Sequence, residues 1–303
     1  MRQVSPDIPF GSAYTEMDWW SGYDPELEDR ANLEATAADY DWGSLVCGDD
    51  TPEKFSIADW WPVEFQGPIG SCAGQAASGA AEIEHYKLTG QPIAFNANFT
   101  YIEGQRYSKS LFGRDNGATI DGVVRSTKEK GCAPMDWDKD GRIDYPYPAR
   151  YTTAIPQQAY QYASKYKVGY HAVLKNWDEI IKFLKTQGTV VVGGDWGRWG
   201  PDASGLCTRF VSGGGGHAWI ICGWDETKKT FSEDVLEGVN SHGKRWARKG
   251  FHYMTRRFID QFLAARWTVA IGISRLSVPG PTKYSFEQWK KAVPVSILPT
   301  WRV

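Results

Sequence analysis

An α+β fold, helical in its first half and strand-rich in its second, is predicted by three observations. A run of small residues over 72–87, carrying Glu82 and Glu84, reads as a long helix. Two further helical stretches follow it before Gly131. Beyond residue 168 the apolar segments turn short, continuous and β-branched, as in Thr189-Val190-Val191-Val192-Gly193-Gly194. Helices first and strands second is the segregated order of α+β proteins.

The segments support this in order. Phe55-Ser56-Ile57-Ala58-Asp59-Trp60-Trp61 opens the folded body, and a glycine-rich turn, Gln66-Gly67-Pro68-Ile69-Gly70-Ser71, delivers Cys72 to the first helix. Residues 95–101 head a second helix, and residues 116–124 open a third that ends near Gly131. A strand is expected over 168–174. Residues 176–187 have helical spacing through Ile180, Ile181 and Leu184, and Gly188 stops them. Strands follow over 189–194, 218–223, 230–235, 251–255 and 267–273, with a short helix over 257–264. Residues 276–303, with Pro279, Pro281, Pro294 and Pro299, form a tail that includes a short helical piece over 284–292.

Chemistry concentrates at the first helix. A cysteine in a helix's first turn meets the unpaired N–H groups and positive end of the macrodipole, which favour thiolate over thiol. Gln66, six residues upstream, carries an amide that can donate to an anion forming beside the sulfur. Such a cysteine needs a base. Gly213-Gly214-Gly215-Gly216-His217-Ala218 supplies a histidine 145 residues on, followed by an apolar strand closing on Gly223-Trp224. Then come Val239-Asn240-Ser241-His242-Gly243, Trp246 and Gly250-Phe251-His252-Tyr253. A lone cysteine among alanines is more often core than nucleophile; the ordered arrival of Gln66, His217 and Asn240 shifts that reading. Cys132, Cys207 and Cys222, with His85, His171 and His252, carry no such signal.

Over roughly residues 54–275 the chain thereby resembles the papain-like cysteine proteases, whose pattern is Gln-Gly-x-x-Gly-Ser-Cys, then Gly-His-Ala, then Asn-Ser-Trp-Gly. The resemblance implies a two-lobed fold with a helical left lobe (about 54–150), an antiparallel β-barrel-like right lobe (about 151–275) and the active-site cleft between them. It implies a peptidase acting on a peptide or protein substrate, with Cys72 as nucleophile and His217 sharing its proton as a thiolate–imidazolium pair. Asn240 would orient His217, and Gln66 with the Cys72 N–H would receive the oxyanion. Gly117, Ala118 and Gly216 would contact the substrate, Ala118 standing where the family has a second glycine. No cofactor is required. Two departures stand out: Ala73 replaces a Trp after the nucleophile, and His242 replaces the Trp that shields the Asn–His bond, so a weaker pair and a competing His242 are expected. The rival reading is a papain-fold structural or binding component of a larger assembly, such as a phage particle, that no longer cleaves. A transglutaminase or amidase use of the same residues is a third.

Asp136-Trp137-Asp138-Lys139-Asp140-Gly141-Arg142-Ile143-Asp144 alternates carboxylates before a glycine turn. Asp136, Asp138, Asp140 and Asp144 could hold a structural calcium, although Tyr147 occupies the twelfth position, where a calcium loop has a bidentate Glu. A plain acidic turn explains the same residues.

Charge is unevenly placed. Residues 1–53 carry 13 acidic residues against two arginines, whereas the remainder carries 32 basic against 23 acidic. That acidic, Trp- and Tyr-bearing extension is a solvated tail, a propeptide-like cover for the cleft, or an arm docking on a partner protein. No apolar run is long enough to span a membrane, and no nucleic-acid motif accompanies the basic body. Five cysteines (47, 72, 132, 207, 222) without zinc spacing, and no apolar leader, point to reduced thiols and to an intracellular or assembly-bound protein, including a virion component.

Overall fold

The structure is a computed structural model and describes residues 51–279, apart from 108–110, 187 and 198. The expectations for residues 1–50, among them Cys47 and most of the acidic extension, and for the tail beyond 279 lie outside the described residues. Among those described there are six helices and eight strands, and the α+β fold is present.

The helical part contains α1 (Cys72–Thr89), α2 (Ala97–Tyr107), α3 (Ile120–Glu129) and α4 (Gln157–Ala163). α1 is buried on nearly every face, which its alanines and glycines make possible. A Cβ at Gly74 would lie 2.6 Å from the Ala97 carbonyl oxygen and 2.9 Å from the Tyr101 nitrogen, so only glycine lets α2 approach so closely. Side-chain caps set the other starts: Asn96 Oδ1 accepts from the Asn98 and Phe99 amides at α2, and Thr119 Oγ1 from Gly122 at α3. The short α4, not anticipated from sequence, packs Ala159 and Ala163 against Phe99, Ala133 and Tyr145.

The remaining elements are β1 (Lys54–Phe55), β2 (Val168–Val173), α5 (Trp177–Thr186), β3 (Thr189–Asp195), β4 (Leu206–Cys207), β5 (Gly216–Asp225), β6 (Val235–Val239), β7 (Phe251–Thr255), α6 (Arg256–Ala264) and β8 (Val269–Leu276). They form one sheet in the order β2-β8-β3-β5-β6-β7-β4, with β1 paired to the far end of β5. All pairs are antiparallel except β4 with β7. Both faces are covered, which explains the continuous apolar strands. Val191, Ala218, Ile220 and Ile271 face the α1 core, whereas the alternating Val190, Val192, Trp219, Ile221 and Ala270 face the core of α5 and α6.

Two strands differ from expectation. The strand expected over 230–235 begins only at Val235, opposite Asp225, and residues 230–234 form a bend in which Phe231 is buried against Tyr253; the β5–β6 register shifts between Ile221 and Gly223. The entry strand that the resemblance implies over 55–61 is only Lys54–Phe55 before the chain turns, with the Trp60 and Trp61 amides donating to the Ile57 carbonyl.

A buried ion pair ties the two parts together. Lys87 Nζ donates to Glu84 Oε1 at 2.9 Å and to Thr189 Oγ1 at 3.2 Å, and that hydroxyl donates to Glu84 Oε1 at 2.7 Å. These bonds join the last turns of α1 to the first residue of β3.

Candidate active site

Cys72 is the first residue of α1, fully buried. The preceding Ser71 makes no side-chain cap: its hydroxyl bonds the Tyr147 hydroxyl at 2.6 Å, which in turn donates to the Gln66 carbonyl at 3.0 Å. The turn from Gln66 to Cys72 is thus fastened from behind by a tyrosine of the loop before α4. A cavity of about 260 Å³ lies beside this tyrosine, lined among others by Glu64, Phe65, Gln75, Phe95 and Met135.

Gln66 is also buried, bonded both to the opposite part of the fold and within its own turn. Its backbone amide donates to the Ser241 carbonyl at 2.9 Å, its Oε1 accepts from Ser241 Oγ at 2.7 Å, and its Nε2 donates to the Ile69 carbonyl at 3.1 Å. Phe65 and His242 form a β-bridge alongside. Ser241 follows Asn240, whose Oδ1 accepts from His217 Nε2 at 2.9 Å and from the Ser241 amide at 2.7 Å. Two donors on one atom identify it as the amide oxygen, which fixes the His217 proton on Nε2 and leaves Nδ1 as the acceptor. A connected run of hydrogen bonds therefore links Gln66, Ser241, Asn240 and His217. Cys72 belongs to the same buried cluster as Ala218 and Val239, the chain neighbours of His217 and Asn240.

His217 owes its position to the end of β3. Gly194 pairs with His217, and Asp195 with Gly216. The Asp195 carboxylate accepts from the amides of Gly197, Gly213 and Gly214 at 2.6–2.9 Å, gathering the glycine run under one side chain. Gly213 has φ +123°, and a Cβ at Gly214 would come within 2.7 Å of the Gly197 nitrogen, so these two positions require glycine. Trp196, half-buried, then stands edge-on to His217 with ring centroids 4.5 Å apart.

His242 packs beside His217, centroids 4.5 Å apart, and Trp196 and Trp246 both meet the His242 ring edge-on. The His217–Asn240 bond keeps a normal length beside it, so the competition expected of His242 has not displaced that bond. Where the family has a Trp after the Asn–Ser pair, Trp196, directly after β3, packs on His217, and Trp246 packs on His242. Burial pulls His217 down to about 4, opposed by its bond to Asn240, and pulls His242 well below the ordinary imidazole range, aided by His217 and His252. At neutral pH this favours an imidazole at His217, in place of the imidazolium expected from sequence.

Gly117 and Ala118 are buried on the loop before α3, Gly117 with φ +88°. Gly216 is the first residue of β5, directly before His217. In the acidic loop, carboxylate oxygens of Asp136, Asp138 and Asp144 lie within 4.8 Å of one another; Asp140 is not among them and turns to the Arg142 amide and guanidinium. The three grouped carboxylates accept from the backbone amides of Lys139, Gly141, Asp140 and Trp137, an ordinary acidic turn in its bonding. Sequence reasoning missed Tyr147, Asp195 and Trp196, and gave Ser241 no bonding role of its own. Among the described residues the four cysteines are buried and form no disulfide, and no helix is long and apolar enough to cross a membrane.

No protein-family model matches the chain. No curated protein matches it by sequence. Solved structures do. Xylellain, a cysteine protease from Xylella fastidiosa, is 20% identical with a TM-score of 0.58, over 86% of this chain and 96% of that one. A procathepsin B from Trypanosoma congolense is 16% identical with a TM-score of 0.58, over 84% of this chain and 86% of its own. A structure from work on the mite allergens Blo t 1 and Der p 1 is 15% identical with a TM-score of 0.57, over 90% and 86%. At these identities the likeness establishes the fold, which is papain-like.

Proposed function

We propose that the chain is a cysteine peptidase that hydrolyses peptide bonds through Cys72, His217, Asn240 and Gln66. The observation that carries this reading is the buried 2.9 Å bond from His217 Nε2 to Asn240 Oδ1, tied through Ser241 to the turn that presents Cys72. His217 Nδ1 accepts the Cys72 thiol proton as Sγ attacks the substrate carbonyl. The oxyanion meets the Cys72 backbone N–H and the Gln66 amide; losing one such donor costs about 3–4 kcal/mol of barrier. His217 then gives its proton to the leaving amine, the peptide C–N bond breaks, and water attacks the thioester to release the acid and restore the thiol. Asn240 holds the ring in the required tautomer throughout. Gly117, Ala118 and Gly216 would lie along the substrate backbone.

A second reading, a papain-fold binding or structural component, draws on a specific observation: Cys72 is 0% exposed and His217 only 3%, a closed site with a neutral histidine. Docking of the acidic extension on a partner and calcium in the 136–144 loop are further proposals, the latter resting on the carboxylate grouping alone. The reading is tested by turnover of a fluorogenic peptide library by the full chain and by Cys72→Ala. Hydrolysis lost in the variant supports the peptidase. Equal release from both, or none from a folded wild type, supports the second reading.

A further inference from the structure

The turn before Cys72 and the loop carrying Gly117 and Ala118 are far apart in sequence, yet one carboxylate joins them. Asp115 Oδ1 accepts from the Gly70 amide at 3.0 Å and from the Tyr101 hydroxyl at 2.9 Å. The Tyr101 oxygen, its proton committed to Asp115, accepts from the Gly117 amide at 3.0 Å. Tyr101 is completely buried on α2, and its backbone is pressed against α1 at Gly74, two residues after Cys72, where a Cβ would come within 2.9 Å of its nitrogen. The other side of the loop is held as well: Gln105 Nε2 donates to the Gly117 carbonyl at 2.7 Å, and Tyr151 donates to Gln105 Oε1 at 2.8 Å.

We infer that Asp115, acting through Tyr101, is a positioning residue that fixes the Gly117–Ala118 loop relative to the Cys72 turn. The catalytic part of this inference rests on the peptidase reading; the mechanical part does not. Asp115 is half-buried, so its charge has limited access to water. Burial pushes its carboxyl up while the bonds from Tyr101 and Gly70 oppose that shift, so the two donors stabilise the ionised form they bind. A charge-assisted acceptor is worth more than a neutral one. One such acceptor serving two donors makes the spacing between the Gly70 and Gly117 amides a property of the buried Tyr101 and the half-buried Asp115 rather than of two loops. A peptide laid along Gly117 and Ala118 would then find its scissile carbonyl at a set distance from the sulfur, and an error of about 1 Å there costs about a hundredfold in rate.

The test compares Asp115→Ala, Asp115→Asn and Tyr101→Phe in the full chain, with near-UV circular dichroism as the check on folding. Amide hydrogen exchange at Gly70 and Gly117, resolved by NMR, reads the link without requiring activity. Asp115→Ala is expected to speed exchange at both amides about tenfold or more, the loss of a bond to a charged group. Tyr101→Phe should speed Gly117 alone, and Asp115→Asn, which keeps the acceptor oxygen, should stay within about threefold of wild type at both. If Asp115→Ala fails to fold, the other two variants decide. Unchanged Gly117 exchange in Tyr101→Phe overturns the link. With peptide hydrolysis as readout, Tyr101→Phe should lower kcat/KM about fivefold with a fall in kcat, the step that depends on the distance from sulfur to carbonyl, and the Asn variant should rescue most of the loss seen with Ala. Altered exchange with unchanged KM and kcat overturns the positioning role. A wild type that cleaves nothing counts against the peptidase reading, and the exchange data still decide the link.

Discussion

The two halves of the site are built by opposite means. Cys72 heads a helix of small residues that is enclosed on nearly all sides, where α2 and β5 come so near that added carbons at Gly74 or Gly79 would collide with Ala97 and Ile220. His217 lies instead among large rings, against both Trp196 and His242, with Trp246 beyond. One half is defined by lack of space, the other by exclusion of water. The comparison teaches that volume governs where the sulfur sits, whereas desolvation governs which protonation state its partner adopts.

The largest expected stability effect lies on the crowded side. Glu84→Ala removes one partner of the buried Glu84–Lys87–Thr189 set and leaves the ammonium in a dry seam between α1 and β3. A loss of about 3–5 kcal/mol is expected in urea unfolding. A loss under about 1 kcal/mol would mean that water reaches the seam and the helix is less enclosed than described. Next comes Gly74→Ala, which drives a methyl into the Ala97 carbonyl and the Tyr101 backbone. It should cost about 1–3 kcal/mol and shift α1 enough to slow Cys72 chemistry. A neutral effect on both would break the claim that volume sets this half.

The histidines test the other half. Burial lowers His85, His171 and His217 to about 4 and His252 to about 3, and holds His242 well below its ordinary value. Each is neutral when folded and charges near 6.5 when unfolded, so the unfolded chain binds more protons between those values. The stabilising contribution is therefore complete above about pH 6.5 and is lost as pH falls toward 4, by up to about 1.4 kcal/mol per pH unit for each histidine. Urea midpoints across pH 4–7, with proton uptake on unfolding, check the sign. A midpoint that rises on acidification would contradict it.

Legibility in the sequence follows the same division. The crowded half was readable because its causes are local: a glycine turn, a cysteine and a run of alanines specify a helix start by themselves. His217 and Asn240 were readable from flanking glycines and from the apolar strand, again local features. Trp196 and Asp195 were not, since their importance comes from pairing β3 with β5, so that Asp195 reaches a glycine run some 18 residues further on. Asp115 was passed over for the same reason; its partners Gly70 and Tyr101 are 45 and 14 residues away. The two-residue β1 and β4 are too short to show alternation, and the start of β6 is set by where its pairing with β5 begins, Val235 opposite Asp225.

The most direct test of the central claim, that Cys72 and His217 act together, is labelling with a peptidyl epoxide, mapped by mass spectrometry on the full chain, on a chain beginning at Glu53, and on His217→Ala. Selective modification of Cys72, abolished in His217→Ala while Cys132, Cys207 and Cys222 stay unmodified, is the predicted result. Labelling that appears only in the shortened chain would add an inhibitory role for the acidic extension. Folded protein in which Cys72 never reacts, or reacts equally without His217, would contradict the account and leave the papain-like fold serving binding or assembly.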